Sequence, residues 1–119
     1  MLLALSPAKS LDFETPPPIS SSSQPDFLES ATELNRTLRQ LSPEDLSSLM
    51  HISSALGELN FQRNLNWSTP FTPDNARPAL FAFTGDVYQG LNARSLDEDD
   101  LAYAQQCVRI LSGLYGLLR

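Results

Sequence analysis

Two periodicities of hydrophobic and polar residues run along this chain, and together they predict short strands separated by amphipathic helices. Leu2 to Leu5 is an apolar run that ends at a Ser-Pro turn, as a short buried strand would. Ala79 to Phe83 and Arg109 to Tyr115 have the same character. Leu11 to Glu14 alternates apolar and acidic residues, which is typical of a second, half-buried strand.

Between these runs, apolar residues recur at intervals of three and four, which predicts helices. The first helix follows Asp26, and its predicted inner stripe consists of Phe27, Ala31, Leu34, Leu38 and Leu41. The Ser-Pro pair at 42–43 is a strong start signal for a second helix, because serine caps and proline favours the first helical position. We expect Ser53 or Ser54 to cap a third helix, and Ser95 to cap a last one.

These elements predict a mixed α+β fold, within the broad α/β class, with three or four short strands and three to four helices. The segment Thr15 to Pro25 reads TPPPISSSSQP. Proline and serine cannot build a packed core, so we expect this segment to be an exposed, mobile loop.

Net charge, cysteine content and the lack of a long apolar run limit the functions and cellular compartments that fit this chain. The chain has 119 residues and a formal net charge of −6, which by itself argues against a nucleic-acid surface. Its single cysteine excludes an internal disulfide and fits a reducing compartment. The first residues lack the basic region of a signal peptide, and no apolar run approaches a membrane span. We therefore expect a cytoplasmic protein with no membrane partner.

Two motifs follow predicted strands, where ligands bind in open α/β sheets. SPAKS, Ser6 to Ser10, presents Lys9, which could hold an anion or could belong to an ordinary turn. GDVYQG, Gly85 to Gly90, has two glycines that permit a close backbone approach. Its Asp86 could be an acid, a ligand or a helix cap, and Tyr88 could stack or donate a hydrogen bond.

Residues for metal binding or catalysis are scarce. The acidic run Asp97 to Asp100 is explained by the helix dipole, since consecutive helical residues point in different directions. His51 and Cys107 are the only residues of their kinds, and Cys107 lies on an apolar helix as a core residue would. We expect no metal site and no cofactor. Catalytic residues stay unknown, and an enzyme is less expected than a binding protein.

Several motifs together resemble the bacterial YaaA family of peroxide stress proteins. They are SPAKS near the start, LSPEDLSSLMHIS at 41–53, FTPDNARPALFAFTGDVYQGL at 71–91 and RILSGLYGLLR at 109–119. Their order and spacing match the family across the whole chain. The family has threonine where Ser10 stands, and its members continue past the position of Arg119. The resemblance implies that residues 1–119 are the N-terminal part of a single YaaA-like domain.

The resemblance also implies a function. It implies a cytosolic protein of the oxidative stress response that limits free intracellular iron, with a helix-hairpin-helix element and a positively charged cleft for duplex DNA. The helix-hairpin-helix element maps best onto Ser42 to Asn60. The residues placed at the cleft are Ser6, Lys9, Ser10, Gly85, Asp86, Tyr88, Ser112, Tyr115 and Arg119.

Three further expectations follow from this resemblance and from the charge. Most cleft cations must come from the rest of the domain, so this chain should bind double-stranded DNA weakly or not at all. Exposed apolar residues near the end would favour self-association; they are Leu111, Leu114, Leu117 and Leu118. The alternative is a small-ligand-binding protein or enzyme whose pocket is formed by SPAKS, GDVYQG and SGLYG.

Overall fold

A computed structural model describes all residues from Met1 to Arg119. It confirms the mixed α+β class, with six α-helices, one short 3-10 helix and a three-stranded sheet. The chain divides into two compact units. The first consists of Met1–Phe27 with Phe71–Arg119, and the second is Leu28–Pro70.

The sheet of the first unit brings both ends of the chain together. Its strands are β1 (Leu3–Leu5), β2 (Val108–Ser112) and β3 (Gly116–Leu118), in that spatial order. β1 runs parallel to β2, with Leu5 opposite Ile110, and β3 runs antiparallel to β2, with Leu118 opposite Ile110. The single terminal strand predicted from the sequence is therefore a β-hairpin, because its glycines allow a tight turn.

The run Ala79 to Phe83 is not the strand that its apolar character predicted. Residues Ala79–Ala82 form a helical turn, α4, in which the amides of Phe81 and Ala82 both donate to the carbonyl of Pro78. Periodicity cannot separate a short buried strand from a buried helical turn. Leu11 forms a single bridge with Phe83, so the second strand predicted at 11–14 is reduced to one pair.

The other helices of the first unit follow α4. They are α5 (Asp86–Leu91), the 3-10 helix Ala93–Ser95 and α6 (Glu98–Cys107). Asp97, not Ser95, caps α6, because its side chain accepts from the amide of Asp100. A carboxylate at this position also interacts well with the helix dipole.

The Pro/Ser segment contacts the rest of the first unit at several points. Ile19 packs against a buried cluster of Phe81, Ala93 and Leu101. Arg94 donates hydrogen bonds to the carbonyls of Thr15 and Pro16, and Gln105 donates to the hydroxyl of Ser23. These contacts show where the segment lies, and its mobility stays a prediction.

The second unit is a group of three helices, α1 (Leu28–Leu38), α2 (Pro43–Met50) and α3 (Ser54–Asn66). The predicted start signals of α2 and α3 are confirmed. Ser42 and Asp45 form a reciprocal capping box, and Ser53 caps α3 through the amide of Leu56.

The predicted inner stripe of α1 is only partly correct. Ala31 is fully buried, but Leu34 is about half exposed and Asn35 is buried instead. The side-chain amide of Asn35 donates to the backbone carbonyl of Asn64 on α3, so this buried polar group is satisfied. The hydrogen bond explains why a polar residue takes the inner position.

Candidate functional site

Two of the sequence motifs meet in the first unit at one open cavity of about 230 Å³. Ser6 to Ala8, after β1, form one wall, and Thr84 to Tyr88, at the start of α5, form the other. The amide of Thr84 donates to the carbonyl of Ser10, which holds the two segments side by side. The cavity therefore lies beyond the carboxyl end of β1, where a ligand site was expected.

Tyr88 joins the two walls. Its hydroxyl donates a hydrogen bond of 2.6 Å to the carbonyl of Ser6, 82 positions earlier in the chain. Its ring lies 5.5 Å from that of Phe83 and packs with Ile110 and Leu118 in the core. Burial raises the pKa of Tyr88, because the phenolate would lose its hydration. Tyr88 thus makes one ring contact and one hydrogen bond within the chain, and its role towards a ligand stays a prediction.

Gly85 gives the second wall its shape. It has φ 116° and ψ 179°, a backbone conformation that is essentially restricted to glycine. This residue ends the extended segment at Thr84 and precedes Asp86, the first residue of α5. Asp86 consequently lines the cavity, opposite Ser6 to Ala8.

The other predicted cleft residues lie outside this cavity wall. Lys9 is exposed on the SPAKS turn, and Ser10 contributes its carbonyl rather than its hydroxyl. Ser112 ends β2, and its hydroxyl accepts from the amide of Tyr115. The ring of Tyr115 packs against the cluster that contains Tyr88 and meets the ring of Phe71 edge-on at 6.0 Å. Hence Ser6, Gly85, Asp86 and Tyr88 share one cavity, and Tyr115 supports it from the core.

The last residues of the chain are only partly as exposed as the sequence predicted. Arg119 forms a surface ion pair with Asp26, at 3.1 Å, and does not line the cavity. Leu118 is buried, because the register of β3 turns it to the inner side of the sheet with Ile110. Leu111 and Leu117 are exposed, as expected.

A second cavity, of about 170 Å³, adjoins the first and was not predicted. It shares Thr84 and Tyr88 with the first cavity and adds Asp12 and Arg94. Hydrogen bonds from the Thr15 and Glu14 backbone amides hold the pKa of Asp12 below its usual value, and the charge of Arg94 contributes. No sequence signal links positions 12 and 94, since neither lies in a motif.

The helical hairpin α2–α3 of the second unit is a separate candidate for nucleic-acid contact. α2 ends at His51 in the left-handed conformation, and the amide of Ile52 donates back to the carbonyl of Ser47. The helices touch closely at Gly57, where an added Cβ would lie 2.6 Å from the carbonyl oxygen of Pro43. The amides of Ser54 and Ala55, in the first turn of α3, have no acceptor within the helix.

Most of the basic side chains are already engaged within the chain. Arg39, Arg77, Arg94 and Arg109 donate to main-chain carbonyls, and Arg119 pairs with Asp26. Three cations have no such bond; they are Lys9, Arg36 and Arg63. No group of three or more His, Cys, Asp or Glu side chains is arranged to hold a metal ion. No helix has the length and apolar character needed to cross a bilayer.

Comparison with known proteins shows which family this chain matches. A family model described as peroxide stress protein YaaA matches residues 1–119. UPF0246 proteins of Burkholderia lata, Burkholderia mallei and Aromatoleum aromaticum are 58%, 59% and 58% identical to this chain over 119 residues. Each match covers 100% of this chain and 46% of the relative. The chain thus spans about half the length of the curated relatives that it matches.

Proposed function

This chain belongs to the YaaA family of peroxide stress proteins, and from that premise we propose that it forms the helical-hairpin part of a cytoplasmic protein that binds duplex DNA. The same protein would limit free intracellular iron during peroxide stress, and so reduce damage to the bound DNA. Family membership supports the stress role, and the local geometry of α2–α3 supports the contact with DNA.

The observation that carries the proposal is the tight turn between α2 and α3. Gly57 lets the helices approach closely, and the short segment 51–53 connects them. This arrangement presents the free amides of Ser54 and Ala55 at an exposed helix start. Backbone amides and the positive end of the helix dipole suit a DNA phosphate, without reading its sequence.

Charge explains why this chain should bind DNA weakly by itself. Each phosphate neutralised by a cation releases counterions, and this release supplies most of the affinity for non-specific DNA. With only Lys9, Arg36 and Arg63 unengaged and a net charge of −6, the chain offers few such contacts. The basic surface for the DNA backbone would come from the part of the family's polypeptide outside this chain.

The test uses a hybrid protein in which this chain replaces the matching part of the Burkholderia lata relative. The hybrid protein should bind duplex DNA with an affinity that falls steeply as salt rises, by a slope of about −0.9 per phosphate contact. The 119-residue chain should bind far more weakly. Binding by the hybrid protein that is absent, or independent of salt, would contradict DNA binding as its function.

A substitution at the first position of α3 tests the hairpin itself. Ser54→Pro removes one amide donor at the helical position where proline is best tolerated. If this amide binds phosphate, the affinity of the hybrid protein should fall by about tenfold, as for one lost charge-assisted hydrogen bond. Ser54→Ala is the matched control, because it keeps the amide. Equal affinity of the two variants would exclude the amide of Ser54 as a phosphate contact.

The role in iron limitation needs a measurement in cells. Cells exposed to hydrogen peroxide should hold less chelatable iron, measured by electron paramagnetic resonance, when they produce the hybrid protein than when they do not. Calorimetry with Fe(II) separates an indirect role from sequestration. We expect no binding heat from this chain, since its carboxylates do not converge.

The small-ligand hypothesis has less support. Its cavity brings together Ser6, Gly85, Asp86 and Tyr88, but the residues of SGLYG do not line it. The volume of about 230 Å³ also lies below the roughly 300–1,000 Å³ of most ligand pockets. A screen of small metabolites by thermal shift of the hybrid protein would revive this hypothesis if one compound stabilised it and Asp86→Asn abolished the effect.

A further inference from the structure

The two faces of the β1–β2–β3 sheet have very different surroundings. Successive side chains of a strand point to opposite faces, so the register fixes which residues share a face. Leu5, Ile110 and Leu118 are on the inner face, where they pack with Tyr88. The opposite face, which we call the outer face, carries Ala4, Arg109, Leu111 and Leu117. The same alternation places Leu2, just before β1, on this side.

The outer face is apolar and uncovered. Leu2, Leu111 and Leu117 are 70%, 51% and 37% exposed, and Ala4 is exposed as well. Leu111 and Leu117 are direct cross-strand partners, so their side chains form one continuous patch. Within the strands, the one charged residue on this face is Arg109, whose guanidinium turns back to the carbonyls of Gln105 and Val108. The same alternation places Arg119, just after β3, on this side, where it pairs with Asp26.

A solvent-facing sheet would have a different sequence. Strands with one wet face alternate apolar and polar residues, whereas strands covered on both faces are apolar almost throughout. LLAL at 2–5 and GLL at 116–118 follow the second pattern. VRILS at 108–112 is polar only at Arg109 and Ser112. β1 and β3 also have free edges, which proteins normally cover or protect with charge. The sheet therefore has the composition of an internal layer.

We propose that the outer face is the surface on which the remainder of the YaaA-family polypeptide packs, completing a core that is shared by both parts. This chain matches 46% of the length of its Burkholderia lata relative, so more than half of that protein lies outside the match. A sheet that is apolar on both faces is covered by a layer on each side, and the inner layer is already present. The remainder supplies the second layer.

A second copy of the chain fits this face less well. Stable association between separate chains needs about 800 Å² per partner, or roughly 20–30 residues a side. The outer face offers four apolar residues. A covalently attached segment needs less area, because it does not lose translational freedom when it packs. The inference does not depend on DNA binding, since no residue of the proposed DNA contact takes part.

The first test compares one substitution in two proteins. Leu111→Asp should change the stability of the 119-residue chain no more than Leu49→Asp does, because both leucines are exposed there. In the hybrid protein, Leu111→Asp should raise the unfolding equilibrium constant at least about tenfold more than Leu49→Asp, since only Leu111 becomes buried. Equal effects of the two substitutions in the hybrid protein would overturn the proposal.

A labelling experiment gives an answer even if the aspartate variant does not fold. In a Cys107→Ala background, Leu111→Cys and Leu49→Cys are made separately in the hybrid protein. We expect the thiol at position 111 to react at least about tenfold more slowly with a soluble maleimide than the thiol at position 49. Similar rates would overturn the proposal. So would a dimer of the 119-residue chain that Leu111→Asp converts to monomer, since a second copy would then occupy the face.

Discussion

The two units of the chain differ in how far apart in sequence their stabilising contacts are. In the second unit, Ser42 bonds to Asp45 and Ser47 to the amide of Ile52, so each helix end is fixed by its neighbours. In the first unit, the structure depends on pairs such as Ser6 with Tyr88 and Leu5 with Ile110. The comparison shows that the helical hairpin is specified locally, whereas the cavity exists only after distant segments meet.

The largest expected effect is in the core of the first unit. Ile110, which is 3% exposed, contacts both Tyr88 and Leu118, so Ile110→Ala should cost about 2–5 kcal/mol of unfolding free energy. Leu111→Ala, on the exposed side of the same strand, should cost far less. Urea unfolding measures both.

Hydrogen exchange then shows whether the loss is confined to the first unit. Ile110→Ala should speed exchange in β1 and β3 and leave α2 and α3 unchanged, because those helices are stabilised by their own caps. Faster exchange throughout the chain would mean that the units unfold together.

The next effect is in the second unit, at the closest approach of α2 and α3. An added Cβ at Gly57 would overlap the Ser47 side chain and approach the Pro43 carbonyl, so Gly57→Ala should cost about 1–3 kcal/mol. Gly90→Ala is the matched control, because no atom lies within 4 Å of its Cβ position. That control should stabilise the protein by about 0.5–1 kcal/mol. Urea unfolding followed by the fluorescence of Trp67, the only tryptophan, reports the second unit, and far-UV circular dichroism reports the control in the first unit. A neutral Gly57→Ala would disprove close packing of the hairpin.

A smaller effect is expected at the hydrogen bond that joins the two cavity walls. Tyr88→Phe keeps the ring and removes the bond to the Ser6 carbonyl, so it should cost about 0.5–1.5 kcal/mol near neutral pH. Tyr103→Phe is the comparison at an exposed tyrosine, whose hydroxyl meets only the thiol of Cys107, and it should cost less. Equal costs for the two variants would contradict the role of Tyr88 in joining the walls.

The same residue predicts a dependence on alkaline pH. Burial raises the pKa of Tyr88 in the folded protein, so the unfolded chain loses this proton first as pH rises. The resulting stability is present below the ordinary tyrosine pKa of about 10 and declines as pH rises above it. The urea midpoint, measured across the alkaline pH range, should therefore decline less steeply for Tyr88→Phe than for the unmodified chain. An unchanged slope would show that Tyr88 ionises normally.

The smallest effect is expected at the surface ion pair between Arg119 and Asp26. Both side chains are nearly half exposed, so Arg119→Ala should cost at most about 0.2–1 kcal/mol in low salt. In 1 M salt the Debye length falls to about 3 Å, so the stability cost of Arg119→Ala should vanish. A cost that persists in high salt would mean that Arg119 acts through packing instead.

The sequence predicted the elements whose signals are local. Ser42, Pro43 and Asp45 together form a complete start signal for α2, and Ser53 is the cap of α3. The predicted first residues of these two helices were therefore correct. The strand predicted at Ala79 to Phe83 was wrong, because a five-residue apolar run is too short for its periodicity to distinguish a strand from a helix. Asn35 was missed for a different reason: its burial depends on a carbonyl of α3, which helical periodicity in α1 cannot reveal.

The candidate site was predicted in part. The sequence placed SPAKS and GDVYQG each after a strand. SPAKS does follow β1, but GDVYQG follows the helical turn α4, and Ser6, Gly85, Asp86 and Tyr88 line one cavity. Arg94 and Asp12 were not foreseen, since an isolated arginine and an isolated aspartate give no signal until the chain folds. Arg119 pairs with Asp26 in this structure, and its place at the cleft stays a prediction.

By itself, the sequence determined the fold class, the caps of α2 and α3, and the family, because each depends on neighbouring residues or on whole motifs. Only the tertiary structure decided the strand register, the cavity walls and the exposed face of the sheet. The physical reason is that a strand has two faces, and which of them is buried depends on distant partners. Leu118 and Leu117 are adjacent and alike in sequence, yet one belongs to the core and the other to the surface.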